Sequence, residues 1–217
     1  MLTSCESRWF FPIATFAVPT AVLHQFGANE PAGERVDRYL LLPGTSAVGV
    51  KWRGGDRIAF EIKALVTYPK PWNFKPGIGG LIDQWVKWSV SDPQVEAIEQ
   101  IFVPSAIWVS IRKKRFLRYF CWDGAHSIEV SQPLQCAESC QVELTAIEIL
   151  DQIRSPYWCS FGLEAYGRDP ISILDSTAEQ VFAPAGQLWL ETLTGAWPVS
   201  YPNWLVMAVD SAAGRSY

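Results

Sequence analysis

Lys51 and Arg53 lie two residues apart in Val48-Gly49-Val50-Lys51-Trp52-Arg53, and Glu61 and Lys63 lie two apart in Ala59-Phe60-Glu61-Ile62-Lys63. Successive side chains of an extended strand point to opposite sides. Each charged pair therefore shares one face, while Val48, Val50, Trp52, Phe60 and Ile62 share the other. Gly54-Gly55 joins the two segments as a hairpin turn. The arrangement recurs in Glu6-x-Arg8, in Lys87 between Val86 and Trp88, in the run Arg112-Lys113-Lys114-Arg115, and around Glu143 and Glu164. Cations so placed suit phosphate oxygens, Arg as a bidentate fork and Lys as a point charge. A few carboxylates among them suit a divalent metal. The chemistry on offer is that of a polyanion and its metal ion, although a solvated sheet face with cross-strand ion pairs shows the same alternation.

Two assignments depend on phase. Strict alternation groups Arg112 and Lys114 with Ser110, opposite Val109 and Ile111, so these two are expected on the charged face; a bulge at the double lysine would send Lys113 or Arg115 there instead. Glu6, Glu143 and Glu164 are the metal-ligand candidates, with neutralisation of neighbouring strand cations as the alternative role. Glu148 is out of phase with Glu143. Cys121, His126, Cys136 and Cys140 lack the paired Cys-x2-Cys knuckle of a zinc site, and the three cysteines are expected to be free thiols. His24 sits in an apolar stretch. No Gly-x-Ser-x-Gly, P-loop or Gly-x-Gly-x-x-Gly element occurs, so serine-hydrolase, P-loop and Rossmann chemistry have no support.

The elements that must position these residues are short strands. Residues 4–11 read as the first, with Glu6, Arg8 and Phe10 on one face and Trp9 and Phe11 on the other. A short helix is expected within 15–29, with Thr20 as N-cap. Strands follow at 37–42, ended by Pro43-Gly44, and in the Gly54-Gly55 hairpin. A loop rich in Pro, Gly and Trp spans 68–80, then a strand 84–90 and a helix from Ser91-Asp92-Pro93 to Gln100. Strands at 107–120, 141–149 and 158–166 precede a helical, Trp-rich tail from Asp175. About eight strands in mainly antiparallel order suggest a barrel or strongly curved sheet. With these faces the barrel has a charged interior and an apolar exterior, which helices must cover.

At 217 residues, 49% hydrophobic and 18% charged, with 11 Trp, the chain suits one ordered domain with a helical appendage. A net charge of −4 and a pI of about 5.2 give the whole molecule no field for nucleic acid, so any anion site is local. No apolar run reaches the roughly 18–20 residues that span a bilayer, and the stretch 9–26 lacks a basic leader and a cleavage site. Five cysteines do not resemble a secreted disulfide framework. A cytoplasmic protein without nucleic-acid or membrane partners is expected.

The ordered set Val36-Asp37-Arg38-Tyr39, Lys51-x-Arg53 with Glu61-x-Lys63, and Arg112-Lys113-Lys114-Arg115 with Val142-Glu143-Leu144 resembles the CYTH-like or triphosphate tunnel metalloenzymes, over about residues 4–166. The resemblance implies a mainly β (α+β) fold: an antiparallel eight-stranded tunnel over residues 1–170 and a helical extension over 171–217 packed on it. It implies metal-dependent hydrolysis of an organic or inorganic triphosphate, with Mg²⁺ or Mn²⁺ as cofactor. Glu6, Lys51 and Arg53 would then be catalytic. Arg8, Lys51, Arg53, Glu61, Lys63, Lys87, Arg112 and Lys114 would bind substrate, and Glu6, Glu143 and Glu164 would hold metal. The family opens on Glu-x-Glu-x-Lys, where this chain has Ser4-x-Glu6-x-Arg8, and its late acidic pair appears here as Glu143-x-Thr145. Each place is one carboxylate short. That departure motivates the other reading, a non-catalytic binder of polyphosphate or a phosphorylated metabolite.

Overall fold

Alternation makes the strands and also closes them. The computed structural model describes residues 2–28, 30–42, 44–56, 58–75, 78–91, 108–132, 136–150, 157–183 and 186–212. In β1 (Leu2–Ile13) the even positions Glu6, Arg8 and Phe10 turn inward, while Cys5, Trp9 and Phe11 turn outward into an apolar layer. The other wall strands are β2 (Gly33–Leu40), β3 (Val48–Arg53), β4 (Ala59–Leu65), β6 (Ile78–Val90), β7 (Trp108–Trp122), β9 (Ser139–Ile149) and β10 (Tyr157–Tyr166). Their spatial order is β1-β10-β9-β7-β2-β3-β4-β6, and β6 pairs back onto β1 through Leu2↔Lys87 to Glu6↔Asp83. Every pairing is antiparallel, giving a closed eight-strand barrel. Closure removes the unpaired edges that an open sheet would expose. Three short strands hang on the wall: β5 (Lys70–Lys75) on β6, β8 (Ser127–Val130) on β7, and β11 (Trp197–Pro198) on β1.

Two apolar clusters fix this wall in place. The outer one joins Trp9, Phe161, Val142 and Leu144 to α1 (Thr20–Phe26), α2 (Pro170–Phe182) and α3 (Gly186–Leu193). Trp189 of α3 lies 4.5 Å from Phe161, ring centre to ring centre. The second cluster lies inside one end of the barrel. There Phe10, Val109, Ile111, Ile147 and Trp158 receive α4 (Tyr201–Ala212), and Trp204 stacks on Phe10 at 4.6 Å with planes 4° apart. Tail helices thus do two jobs, α2 and α3 coating the exterior and α4 stopping one mouth.

Trp52 and Phe60 meet edge-to-face on the outer wall, as the alternation requires. Within the stretch expected as a loop over 68–80, Lys70–Lys75 is instead strand β5, paired antiparallel with the start of β6 from Ile78. Its Trp72 packs on Trp9 and donates its indole N–H to Asp175 of α2 at 2.7 Å, so tryptophan burial outweighs the Pro and Gly content. Thr20 is the first helical residue of α1 and not its cap; Pro19 stands at the N-cap with no side-chain bond, and Gly27 ends the helix at φ 79°. The helix expected from Asp92 to Gln100 lies outside the described residues. Cys121 and Cys136 form a disulfide, while Cys5, Cys140 and Cys159 are buried thiols, so a shared zinc site and free thiols at 121 and 136 are both set aside.

Candidate functional site in the barrel lumen

Inward side chains of the wall converge in three ionic groups. In the first, the Arg8 guanidinium donates to Glu6 at 2.7 Å and to Glu143 and Ser160 at 3.2 Å, while Arg115 closes on the other oxygen of Glu143. Lys63 bridges Glu6 at 2.6 Å and Glu164 at 3.0 Å. In the second group Glu61 is faced by Lys51 at 2.7 Å, Lys87 at 3.2 Å and Arg53 at 3.6 Å. In the third, fully buried Asp37 takes Arg35 at 3.0 Å, the Gly54 backbone N–H at 3.2 Å and Lys113 at 3.7 Å. The Lys113 ammonium also donates to the Tyr39 hydroxyl at 2.5 Å and sits 4.0 Å from the Tyr201 ring centre.

Local sequence makes this packing possible. Register sets Gly162 of β10 opposite Arg8, and a Cβ there would lie 2.8 Å from the guanidinium carbon. Only a residue without a side chain leaves room for the arginine to lie flat across the lumen.

Burial alone would raise each carboxyl and lower each ammonium. For Glu6 burial is outweighed by Lys63 and Arg8, and the carboxyl is held at about 2. For Glu61 burial is outweighed by Lys51 and Lys87, again to about 2. Glu143 is held well below the usual range, burial being overcome by Arg115, Arg8 and Lys113. Burial wins for Lys113, pushed well down despite Asp37, and for Lys51, pushed down despite Glu61. It wins again for Asp83, which faces Glu6 across β1–β6. Burial and the Glu6 charge raise Asp83 to about 7, and its Oδ1 has no hydrogen-bond partner among the described residues.

The ionic groups surround a cavity of about 360 Å³ that Lys51, Arg53, Lys63, Lys87, Lys113 and Arg115 all line. Of the residues singled out from sequence, Glu6, Arg8, Lys51, Arg53, Glu61, Lys63, Lys87, Glu143 and Glu164 all line this space. Arg112 and Lys114 do not. Arg112 lies on the outer wall, where it pairs with Glu148 and stacks over Phe16, and Lys114 shares its face; Lys113 and Arg115 take the inward positions. No bulge is involved. Val109 and Ile111 are inward too, because this end of the lumen is the apolar socket for α4, so their hydrophobicity misplaced the phase of the whole strand. Arg35, Asp37, Tyr39 and Tyr201 complete the site, and the first three carried an alternation signal in Arg35-x-Asp37-x-Tyr39.

Glu6, Glu143 and Glu164 fit a resident divalent cation poorly. Each is already bonded to Arg8, Arg115 or Lys63, and among the described residues no three Asp, Glu, His or Cys side chains converge to hold a metal. A metal would have to compete with these ammonium and guanidinium groups for both oxygens of Glu6 and Glu143 and for one oxygen of Glu164.

Fold and site together define a class: a closed antiparallel barrel with an ionic lumen, coated by helices and stopped at one end by another. No protein-family model matches the chain, and no curated protein does. Among solved structures, the PH1012 protein of Pyrococcus horikoshii is 12% identical with a TM-score of 0.47, covering 91% of this chain and 98% of its own. A conserved hypothetical protein of Pyrococcus furiosus is 13% identical at 0.45, over 91% and 98%. The Mediator head module of Schizosaccharomyces pombe gives 7% identity at 0.37, over 98% and 95%. No helix among the described residues is long and apolar enough to cross a membrane.

Proposed function

We propose that the lumen binds a compact polyanion, a polyphosphate or a phosphorylated small molecule, without requiring a metal. The observation that carries this reading is the group around Glu61. Three cations, Lys51, Arg53 and Lys87, face one carboxylate on the wall of the cavity, leaving positive charge that a ligand can neutralise. In a partly dry cavity such charge is expensive until it is paired. The resemblance to the CYTH-like or triphosphate tunnel metalloenzymes supports a phosphate ligand. Metal-dependent triphosphate hydrolysis, the activity it implies, asks for carboxylates free to take Mg²⁺ or Mn²⁺, and those here are engaged by cations. Binding therefore stands ahead of turnover.

Calorimetry with tripolyphosphate, with and without Mg²⁺, tests this alongside a phosphate-release assay. The expected result is binding without metal, weakening as salt rises, with no phosphate released. Binding that requires metal, disappears in Glu6→Gln or Glu143→Gln, and accompanies turnover would replace the binder with the enzyme. No binding under either condition would reject both. A cytoplasmic setting belongs to the same reading, although disulfides are rare there; the redox state of Cys121 and Cys136 in cells tests it.

A further inference from the structure

The cavity has a second kind of wall. β3 pairs with β4 from Val48↔Ala64 to Arg53↔Ala59, but with β2 only at Arg38↔Trp52 and Tyr39↔Lys51. Beyond Tyr39 the two strands part. The gap is edged by Leu41 and Leu42 after β2 and by Pro202, Leu205 and Val206 of α4, all lining the same cavity as the lumen cations. Gly49 lets β3 approach α4 closely, since a Cβ there would lie 3.1 Å from the Pro202 ring. Tyr39 and Tyr201, stacked at 4.8 Å, stand at the boundary with the Lys113 ammonium against both rings. From this gap inward the wall changes from aliphatic to aromatic to cationic.

We infer that the ligand is a soluble organic phosphate with an aliphatic or aryl body, its phosphate among the lumen cations and its body between the β2–β3 gap and α4. The inference rests on the lumen being an anion site. An inorganic polyanion leaves the partly exposed Leu41, Leu42 and Val206 facing water, whereas an apolar body there removes both surfaces from solvent. The tyrosine pair suits the junction, having an apolar face and a polar tip.

Calorimetry with methyl phosphate, n-hexyl phosphate and tripolyphosphate on the full chain tests it. Hexyl phosphate should bind at least about tenfold tighter than methyl phosphate, roughly 1.4 kcal/mol. In a Leu42→Asn/Val206→Asn variant, whose melting temperature reports folding, the hexyl-to-methyl ratio should fall to near one. A Val206→Thr variant of nearly the same shape should lower the ratio part-way. Equal affinity of the two alkyl phosphates, with tripolyphosphate still bound, overturns the apolar body and spares the anion site. Failure of all three probes overturns the anion site as well. A ratio that survives in the double variant, or co-sedimentation with phosphatidic-acid vesicles, overturns the assignment to this gap or to a soluble ligand.

Discussion

Asp83 and Glu6 face each other across the seam where the barrel closes, and their carboxyls are driven apart in opposite directions. Asp83 at about 7 holds its proton more tightly folded than unfolded, so its contribution makes stability fall as pH rises from about 4 to about 7. Asp83→Asn should remove that slope and stabilise the fold by about 2–4 kcal/mol at pH 8, read by urea unfolding across pH 4–8. Glu6 and Glu61, held at about 2, act the other way: their stabilisation is present above the unfolded value near 4.5 and is lost as pH falls toward 2. A variant with the same pH slope as the parent between 4 and 7 would contradict the assignment. The basic run of β7 offers a second residue-level test. Lys113→Met should weaken tripolyphosphate more than either outward variant, whereas Arg112→Met and Lys114→Met should change it less than about twofold by calorimetry. The hairpin charges at 51, 53, 61 and 63 were legible because every alternate neighbour was apolar. The β7 phase was not, because sequence alternation separates two faces without saying which one meets a helix inside the barrel.

At the scale of elements, β1 and β10 are locked by one small residue. A methyl group at position 162 would press on the Arg8 guanidinium, which cannot retreat without abandoning Glu6, Glu143 or Ser160. Gly162→Ala should cost about 1–3 kcal/mol, the usual range for overpacking, and lower the urea midpoint. Unchanged stability would mean that Arg8 has another place to lie. The strands were legible from period-two alternation, but the β5–β6 hairpin was hidden by its own Pro and Gly residues. What orders that hairpin is Trp72, reaching across 103 residues of sequence to Asp175, and no local pattern announces such a bond. The role of α4 was hidden for a similar reason. Its Trp204 reads as another exterior aromatic until the socket of Phe10, Ile111 and Trp158 is known.

Over the whole molecule, one covalent link supplements the noncovalent wall, tying β7 at Cys121 to Cys136 ahead of β9. With a separation of 15 residues it should contribute about 3 kcal/mol by limiting the unfolded chain, so reduction should lower the urea midpoint while leaving the lumen occupied by the same ion pairs. A midpoint indifferent to reductant would show that the bridge contributes nothing to stability. The seam itself governs how such a barrel comes into being. β1 pairs with β6 on one side and with β10 on the other, Ser4 meeting Trp85 and Tyr166 at once. During synthesis its second flank has no partner until the ribosome has passed residue 166, roughly ten seconds or more after Ser4 at ordinary elongation rates. Through that interval Trp9 and Phe11 lack both strand β10 and the helices that later cover them. The nascent chain must carry an open, sticky β-edge, and slow barrel closure by this long-range pairing sets its exposure to aggregation.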